Sequence, residues 1–455
     1  MSGKSVRIAS GQGFWGDWLE APVRQVEVGP IDYLVMDYLA EVTMSILQKQ
    51  RNRDPSQGYA RDFVPLLGRI LPLCVEKGVR VIANAGGVNP LSCRDAVLET
   101  AQAAGLAGQV RIGVITGDDL MERLDDLLSQ GVELRNMDTG EPLTMVRDRI
   151  QSANAYLGAG PIIAALERGA EVVIAGRTTD TALTYAPMMF EHAWPADDWD
   201  KIAAGVVAGH INECGAQATG GNTGVDWQSI DYSDIGYPII ESHADGQFIV
   251  TKHEALGGRV TVPTVSEQLL YEMGDPAEYI TPDCTADFRT IQLEQEAVDR
   301  VRVFGVRGAP PTEMLKVSVS YLAGYKAVGT MTYSWPDALE KARAADRTIR
   351  ARLERLGLGF AEVHTEYLGA GACHGPLAGP LPPDLPEVEL RIGVKHSERP
   401  PVDRFTREIA ALILAGPPTA TGFAGGRPRV QEMVAYWPAL VPKKQIEPRV
   451  SVEVA

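Results

Sequence analysis

The chain alternates between two textures. Short β-branched runs at Val6 to Ser10, Tyr33 to Asp37, Val79 to Asn84, Val110 to Ile115 and Glu171 to Ala175 read as strands. Between them lie stretches with the three-to-four-residue apolar spacing of helices, near Leu39 to Gln50, Phe63 to Lys77, Arg94 to Ala104 and Pro161 to Arg168. Repeated strand, helix and strand predicts parallel βαβ units, because parallel neighbours need a long crossover that a helix supplies. A further helix is predicted from Asp198 to about Cys214.

Beyond Val225 the texture changes. Extended runs at Gln247 to Lys252, Arg259 to Pro263, Val301 to Val306 and Lys316 to Ala323 follow one another with few helices between them. A helix near Trp335 to Leu356 and a strand at Val388 to Val394 come later. The pattern predicts an α/β fold: a Rossmann-like, mostly parallel sheet in residues 1–225, and a second, α+β domain in 226–455 that closes a cleft. Length agrees, since 455 residues exceed the roughly 250 to 300 at which a single core stops growing.

Right-handed crossovers bring the carboxyl ends of parallel strands to one edge, where open α/β sheets bind their ligands. The residues at those predicted ends carry chemistry. GQGFWGD sets Gly11, Gly13 and Gly16 in a G-x-G-x-x-G pattern after a strand, followed by Asp17. Asp37 ends the next strand at the spacing of a ribose-binding carboxylate. A dinucleotide fits this spacing. However, Phe14 and Trp15 are bulky, and Pro22 interrupts the helix whose N-terminus would hold a pyrophosphate, so a tight structural turn is the competing reading.

NAGGVNP adds Gly86 and Gly87 as points of close backbone approach, with Asn84 and Asn89 as anchors for a carbonyl or hydroxyl. In GRTTD, Arg177 is suited to a carboxylate or phosphate, and Asp180 to holding Arg177 or capping a helix. Asn222 and Lys252 complete the candidate substrate contacts; Gly11, Gly13, Gly16, Asp17, Gly86 and Gly87 are the candidate cofactor contacts.

His210, Glu213 and Cys214 fall at i, i+3 and i+4, so a helix projects all three from one face. With Asp37 they are the candidate catalytic groups, although a buried structural cluster has the same spacing. Acid/base work suits them better than thiolate attack, because the negative end of a helix dipole raises a thiol pKa. No metal site is predicted.

Charge and cysteine content narrow the partners. Lys and Arg number 43 against 59 Asp and Glu, a formal net charge of −16, which provides no basic stripe for nucleic acid. The 5 cysteines are scattered, which excludes a disulfide framework. No apolar run approaches the length of a membrane span and the N-terminus lacks a secretory pattern, so a cytoplasmic protein without membrane or nucleic-acid partners is expected. A homo-oligomer is the expected assembly.

The ordered set GQGFWGD, DYLVMDYLAEVTMSIL, NAGGVNP, AGRTTDTAL, HINECGAQATGGN and TKHEALGG resembles the acyclic terpene utilisation AtuA family, from Val6 to Gly258 and more weakly to about Lys444. Longer relatives carry a further small ferredoxin-like domain, for which this chain is expected to be too short. The resemblance implies catabolism of branched acyclic terpenoids through acyl-CoA thioesters; it assigns no catalytic residue. Together these observations predict an enzyme acting on a branched carboxylic acid or its CoA thioester by hydration, cleavage or hydrolysis. An NAD(P)-dependent oxidoreductase and a non-catalytic binding or scaffold subunit are the alternatives. No cofactor is assigned beyond a possible CoA thioester.

Overall fold

Burial decides how the β-branched runs assemble. The structure, a computed structural model, describes residues 5–382, 384–421 and 426–455. Its strands in chain order begin with β1 (Val6–Gln12), β2 (Tyr33–Met36), β3 (Arg80–Ala83), β4 (Ile112–Thr116), β5 (Ile150–Ala155), β6 (Val172–Ile174), β7 (Ile239–Ser242) and β8 (Phe248–Thr251). Then follow β9 (Tyr279–Ile280), β10 (Thr285–Asp287), β11 (Gln292–Ala297), β12 (Arg300–Phe304), β13 (Arg307–Ala309) and β14 (Met314–Ser334). The last are β15 (Glu362–Leu368), β16 (Glu387–His396), β17 (Ala420–Thr421), β18 (Gln431–Pro442) and β19 (Ser451–Val454).

A ten-stranded sheet runs β11-β12-β8-β7-β1-β2-β3-β6-β4-β19. Its centre, β1-β2-β3-β6-β4, is parallel. Leu34, Val81 and Ile174 on these strands are fully buried, as a sheet covered by helices on both faces requires. The flanks are antiparallel, with β7, β8, β12 and β11 on one side and β19 on the other.

The chain divides into two compact units: one reaches to Ser320 and takes in Tyr436–Ala455, and the other is Tyr321–Ala435. The division therefore does not fall at residues 225 and 226. The change of texture there marks a switch from helical crossovers to hairpins within the same sheet, where β7 turns into β8 and β11 into β12. The run from Arg259 to Pro263, expected to be extended, is not a strand. Residues 259–261 are irregular, and Thr261 caps a helix, Val262–Leu270, by accepting the Thr264 amide at 3.3 Å, with Pro263 in the first turn where its missing N–H costs nothing.

Two smaller features of the first unit place side chains. β5 lies off the sheet and pairs with β14, Ser152 Oγ meeting Ser320 Oγ at 2.6 Å. β13, β10 and β9 form a three-stranded sheet laid on the helix Trp199–Glu213. The second unit stands on its own core. β15-β16-β14 forms an antiparallel sheet backed by the helices Ala338–Arg355 and Arg399–Ala410, with Ile349, Leu390, Ile392 and Phe405 fully buried.

The strand ends at residues 11–17, 84–90, 116–119 and 176–180 share one edge, as right-handed crossovers require. The Arg177 amide after β6 donates to Asp118 after β4 at 2.9 Å, and the Gly86 amide after β3 donates to the Ala175 carbonyl at 3.0 Å. At the end of β1, a Cβ on Gly13 would stand 2.9 Å from the Cys214 carbonyl carbon and from the Gly215 nitrogen. Those are backbone atoms that cannot swing aside. Gly13→Ala is therefore expected to destabilise the fold by about 1–3 kcal/mol in urea or thermal unfolding. A melting curve that matches wild type would show that the contact relaxes freely.

Candidate functional site

Two cavities of about 500 and 540 Å³ open beside each other at the strand-end edge, and both are walled by Glu41, Arg177, Asp180, Glu213 and Glu272. We describe them as two lobes of one cleft. The first lobe adds Tyr156, His210, Tyr279 and Lys316, together with the apolar Met137, Met314 and Leu440. The second adds Gly13, Asp17, Asp37, Cys214, Gln217, Asn222 and Tyr237.

Arg177 is the hub. It is 1% exposed, its guanidinium donates to the Leu39 carbonyl, and it stands 3.3 Å from Asp180 Oδ1. The same group lies 4.3 Å from the ring centre of Tyr156. Burial opposes its charge, but Asp180, Tyr156, Asp37 and Glu41 together hold its pKa above the ordinary value. Asp180 is the counterpart. Burial pushes its carboxyl up to about 8; Arg177 opposes the rise, and Asp37 and Glu41 add to it. Glu41, the first residue of the helix Glu41–Arg53, also feels burial, yet Arg177, the Tyr156 hydroxyl at 2.8 Å and Lys316 keep it below the usual carboxylate range.

Asp37 follows the last residue of β2 and lies inside this field. Asn84 Nδ2 donates to its Oδ1 at 2.7 Å and the Leu39 amide at 3.0 Å, while Asn84 Oδ1 accepts the Tyr38 amide at 2.7 Å. Both ends of the Asn84 side chain are thus occupied in shaping the turn after β2. Burial still dominates at Asp37 and pushes it up to about 6, with Glu213 adding to the rise against Arg177 and Asn84.

The helix Trp199–Glu213 reaches the cleft because it is smooth where it must be. A Cβ on Gly209 would meet the Thr181 carbonyl oxygen at 2.5 Å, and one on Gly205 would meet Tyr185 Cβ at 2.7 Å. The close approach brings the last turn, with His210 and Glu213, to the loop that carries Asp180. His210 Nδ1 lies 3.1 Å from Glu213 Oε1, and both residues line the first lobe. His210 is 1% exposed and is clasped edge-on by Tyr279 and Phe288, which stack on each other at 4.6 Å. Burial lowers the His210 pKa, but Glu213, with Gln268 and Glu272 adding, more than reverses this and leaves it raised. Glu213 is raised as well, by burial and then by Asp180 and Glu272, against the pull of His210. Cys214 lines the second lobe, and burial, with Glu213 adding, pushes its thiol up to about 12.

The other sequence candidates divide between cleft and scaffold. Gly13, Asp17 and Asn222 line the second lobe, but Asp17 is engaged with the Gly13 amide at 2.8 Å and the Tyr237 hydroxyl at 2.6 Å. Gly11 packs on Met36 and Leu34, Gly16 supplies a φ of +105°, and a Cβ on Gly86 would meet the Ala175 carbonyl oxygen at 2.6 Å. Pro22 does not break its helix; it sits in the first turn of Ala21–Val28. Gly87 and Asn89 border a separate hollow of about 160 Å³, where Asn89 holds the Pro55 and Gln57 carbonyls at 2.9 and 2.7 Å. Lys252 is buried away from the cleft against the Leu256 carbonyl at 2.7 Å and Asp299 at 3.3 Å.

Sequence reasoning passed over Glu41, Tyr156, Lys316, Glu272 and Tyr279. Glu41 follows a strand end by a few residues and was open to the reasoning that selected Arg177. Tyr156 and Lys316 carry no local signal; they meet because the Tyr156 amide donates to the Lys316 carbonyl at 2.9 Å across the β5–β14 pairing.

Fold and cleft together define an α/β protein with an acid-rich cleft at the carboxyl ends of its parallel strands. The chain belongs to the family described as acyclic terpene utilisation family protein AtuA, which matches residues 6–452. Membership implies a role in acyclic terpene utilisation. No curated protein and no solved structure matches the chain. Among the described residues no helix is long and apolar enough to cross a membrane, and no three His, Cys, Asp or Glu side chains are grouped to hold a metal ion.

Asp118 yields a test of these electrostatics. It accepts the Arg177 amide and Asn154 Nδ2, each at 2.9 Å, yet burial, with Asp119 adding, pushes its carboxyl from the ordinary 3.8 up to about 7. A carboxyl raised on folding favours the fold fully below its unfolded pKa and loses that contribution as pH rises through the folded value. Asp118→Asn has no proton to lose. Its melting temperature relative to wild type is therefore expected to climb as pH goes from about 4 through 7. A difference that does not vary with pH would show that Asp118 does not titrate in this window.

Proposed function

We propose that the protein is an enzyme of acyclic terpene breakdown that acts on a branched carboxylic acid or its acyl-CoA thioester by hydration, cleavage or hydrolysis. The reading rests chiefly on Asp180, a carboxyl held up to about 8 in a cleft beside a fixed guanidinium. Such a group keeps its proton at neutral pH and can give it to a carbonyl oxygen or leaving group. Arg177 and Lys316 offset negative charge that develops on that oxygen. His210, oriented through Nδ1 by Glu213, has its Nε2 buried and without a protein partner, which supports a role in taking a proton from a substrate that reaches the lobe wall.

The G-x-G-x-x-G loop gives the dinucleotide reading little support. The Gly13 amide is taken by Asp17, and Asp37, the expected ribose ligand, is tied to Asn84. A cytoplasmic location and a homo-oligomeric assembly belong to the same proposal.

Asp180→Asn removes the proton donor but keeps the shape. Turnover of a branched acyl-CoA thioester or acid is expected to fall by about 10²- to 10⁴-fold, with the melting curve recorded alongside to show that the variant is folded at the assay temperature. The wild-type rate should also decline as pH rises through about 8, the point at which Asp180 loses its proton. Full turnover in a folded Asp180→Asn protein would remove Asp180 from the mechanism.

A further inference from the structure

The first lobe has a second border besides the one it shares with the acidic lobe. Met137, Met314 and Leu440 line it and also line an outer cavity of about 420 Å³ that continues over Val132, Leu134 and Pro442. The outer cavity and the acidic lobe have no wall residue in common. The first lobe is therefore charged toward the acidic lobe and apolar toward the outer cavity, with the two methionines and the leucine as the partition.

Met137 is 53% exposed and Leu440 40%, so apolar side chains stand open to solvent at this partition. Their backbones are firmly fixed. The Met137 amide donates to the Pro438 carbonyl at 2.8 Å, and Trp437 Nε1 donates to the Leu134 carbonyl at 3.0 Å. Asn136 Oδ1 holds the turn by accepting the Asp138 and Thr139 amides at 2.8 and 3.1 Å. A rigid frame thus presents two flexible thioether side chains, which can shape themselves around an irregular chain that a β-branched wall would reject. Among the described residues, the charged side chains that line the outer cavity are Arg135 and Glu133, which pair at 2.6 Å.

We propose that the partition of Met137, Met314 and Leu440 is the subsite for the hydrocarbon tail of the substrate. A methyl-branched acyl chain whose carboxyl or thioester end meets Arg177 and Asp180 lays its distal carbons between these side chains and into the outer cavity. The inference rests on the acid or thioester reading of the cleft, and it makes these three residues determinants of chain length.

The test is calorimetric titration of the full chain with 3-methylbutanoate and 3,7-dimethyloctanoate, and with the CoA thioesters of both. The longer compound is expected to bind at least about tenfold more tightly, because its extra carbons leave water. Met137→Trp and Leu440→Trp, at half-exposed positions, should abolish that preference, read as the ratio of the long to the short compound's dissociation constants in variants whose melting curves show a folded chain. Equal affinity for both lengths in wild type, or a preference that survives both substitutions, would overturn the tail subsite while the acid reading stood. No binding of either compound by wild type would overturn the acid reading and the tail subsite with it.

Discussion

A guanidinium with almost no exposed surface is costly to hold unless it is paired and hydrogen-bonded, and removing one partner of such a pair is worse than never having built it. Arg177 meets that condition only through groups drawn from several strand ends. The Leu39 carbonyl comes from the turn after β2, Tyr156 follows β5, and Asp180 lies in its own loop after β6. Its amide is held by Asp118 from the loop after β4. The strand-end edge is thus tied together by one side chain. The carboxyls around it, which would otherwise repel one another, are tolerable together because this charge stands among them.

Close backbone approach is the second constraint. Gly13 lies against the end of the helix Trp199–Glu213, and Gly209 within that helix lies against Thr181. These contacts pull the helix C-terminus, the β1 loop and the Asp180 loop into one wall. A pattern that reads in sequence as a phosphate-binding motif thereby serves packing: each of its three glycines has a steric or conformational reason to lack a Cβ, and none needs a ligand to explain it.

Legibility in the sequence followed the range of the interaction. Strand ends such as those before Gly11, Gly86 and Gly176 were readable because β-branched runs and their stops are local, and handedness places parallel ends on one edge. The helical spacing of His210 and Glu213 was readable for the same reason, and the two do meet. The raised pKa of Cys214 was expected from the helix dipole, but its causes are burial and then the neighbouring Glu213, neither of which the spacing reveals. What lay beyond reach depended on pairings between distant segments. Tyr156 and Lys316 join the cleft only because β5 finds β14, and the hairpins after residue 225 looked like a new domain because a sheet's continuation leaves no mark in the texture of its strands. Lys252 and Asn89 show the converse: polar residues in suggestive places whose hydrogen bonds go to the scaffold.

The balance of charge in the cleft has a consequence for thermodynamics. Glu41, Asp37, Asp180, Glu213 and Glu272 outnumber Arg177 and Lys316. Two of these carboxyls, Asp37 at about 6 and Asp180 at about 8, sit close to neutrality. An incoming anion adds negative charge and pushes both higher still, so its arrival draws protons from solution. For the anionic substrate proposed above, anion and proton are then linked ligands: each tightens the other's hold, the heat of association carries the ionisation heat of the buffer, and the anion leaves more readily as the medium turns alkaline.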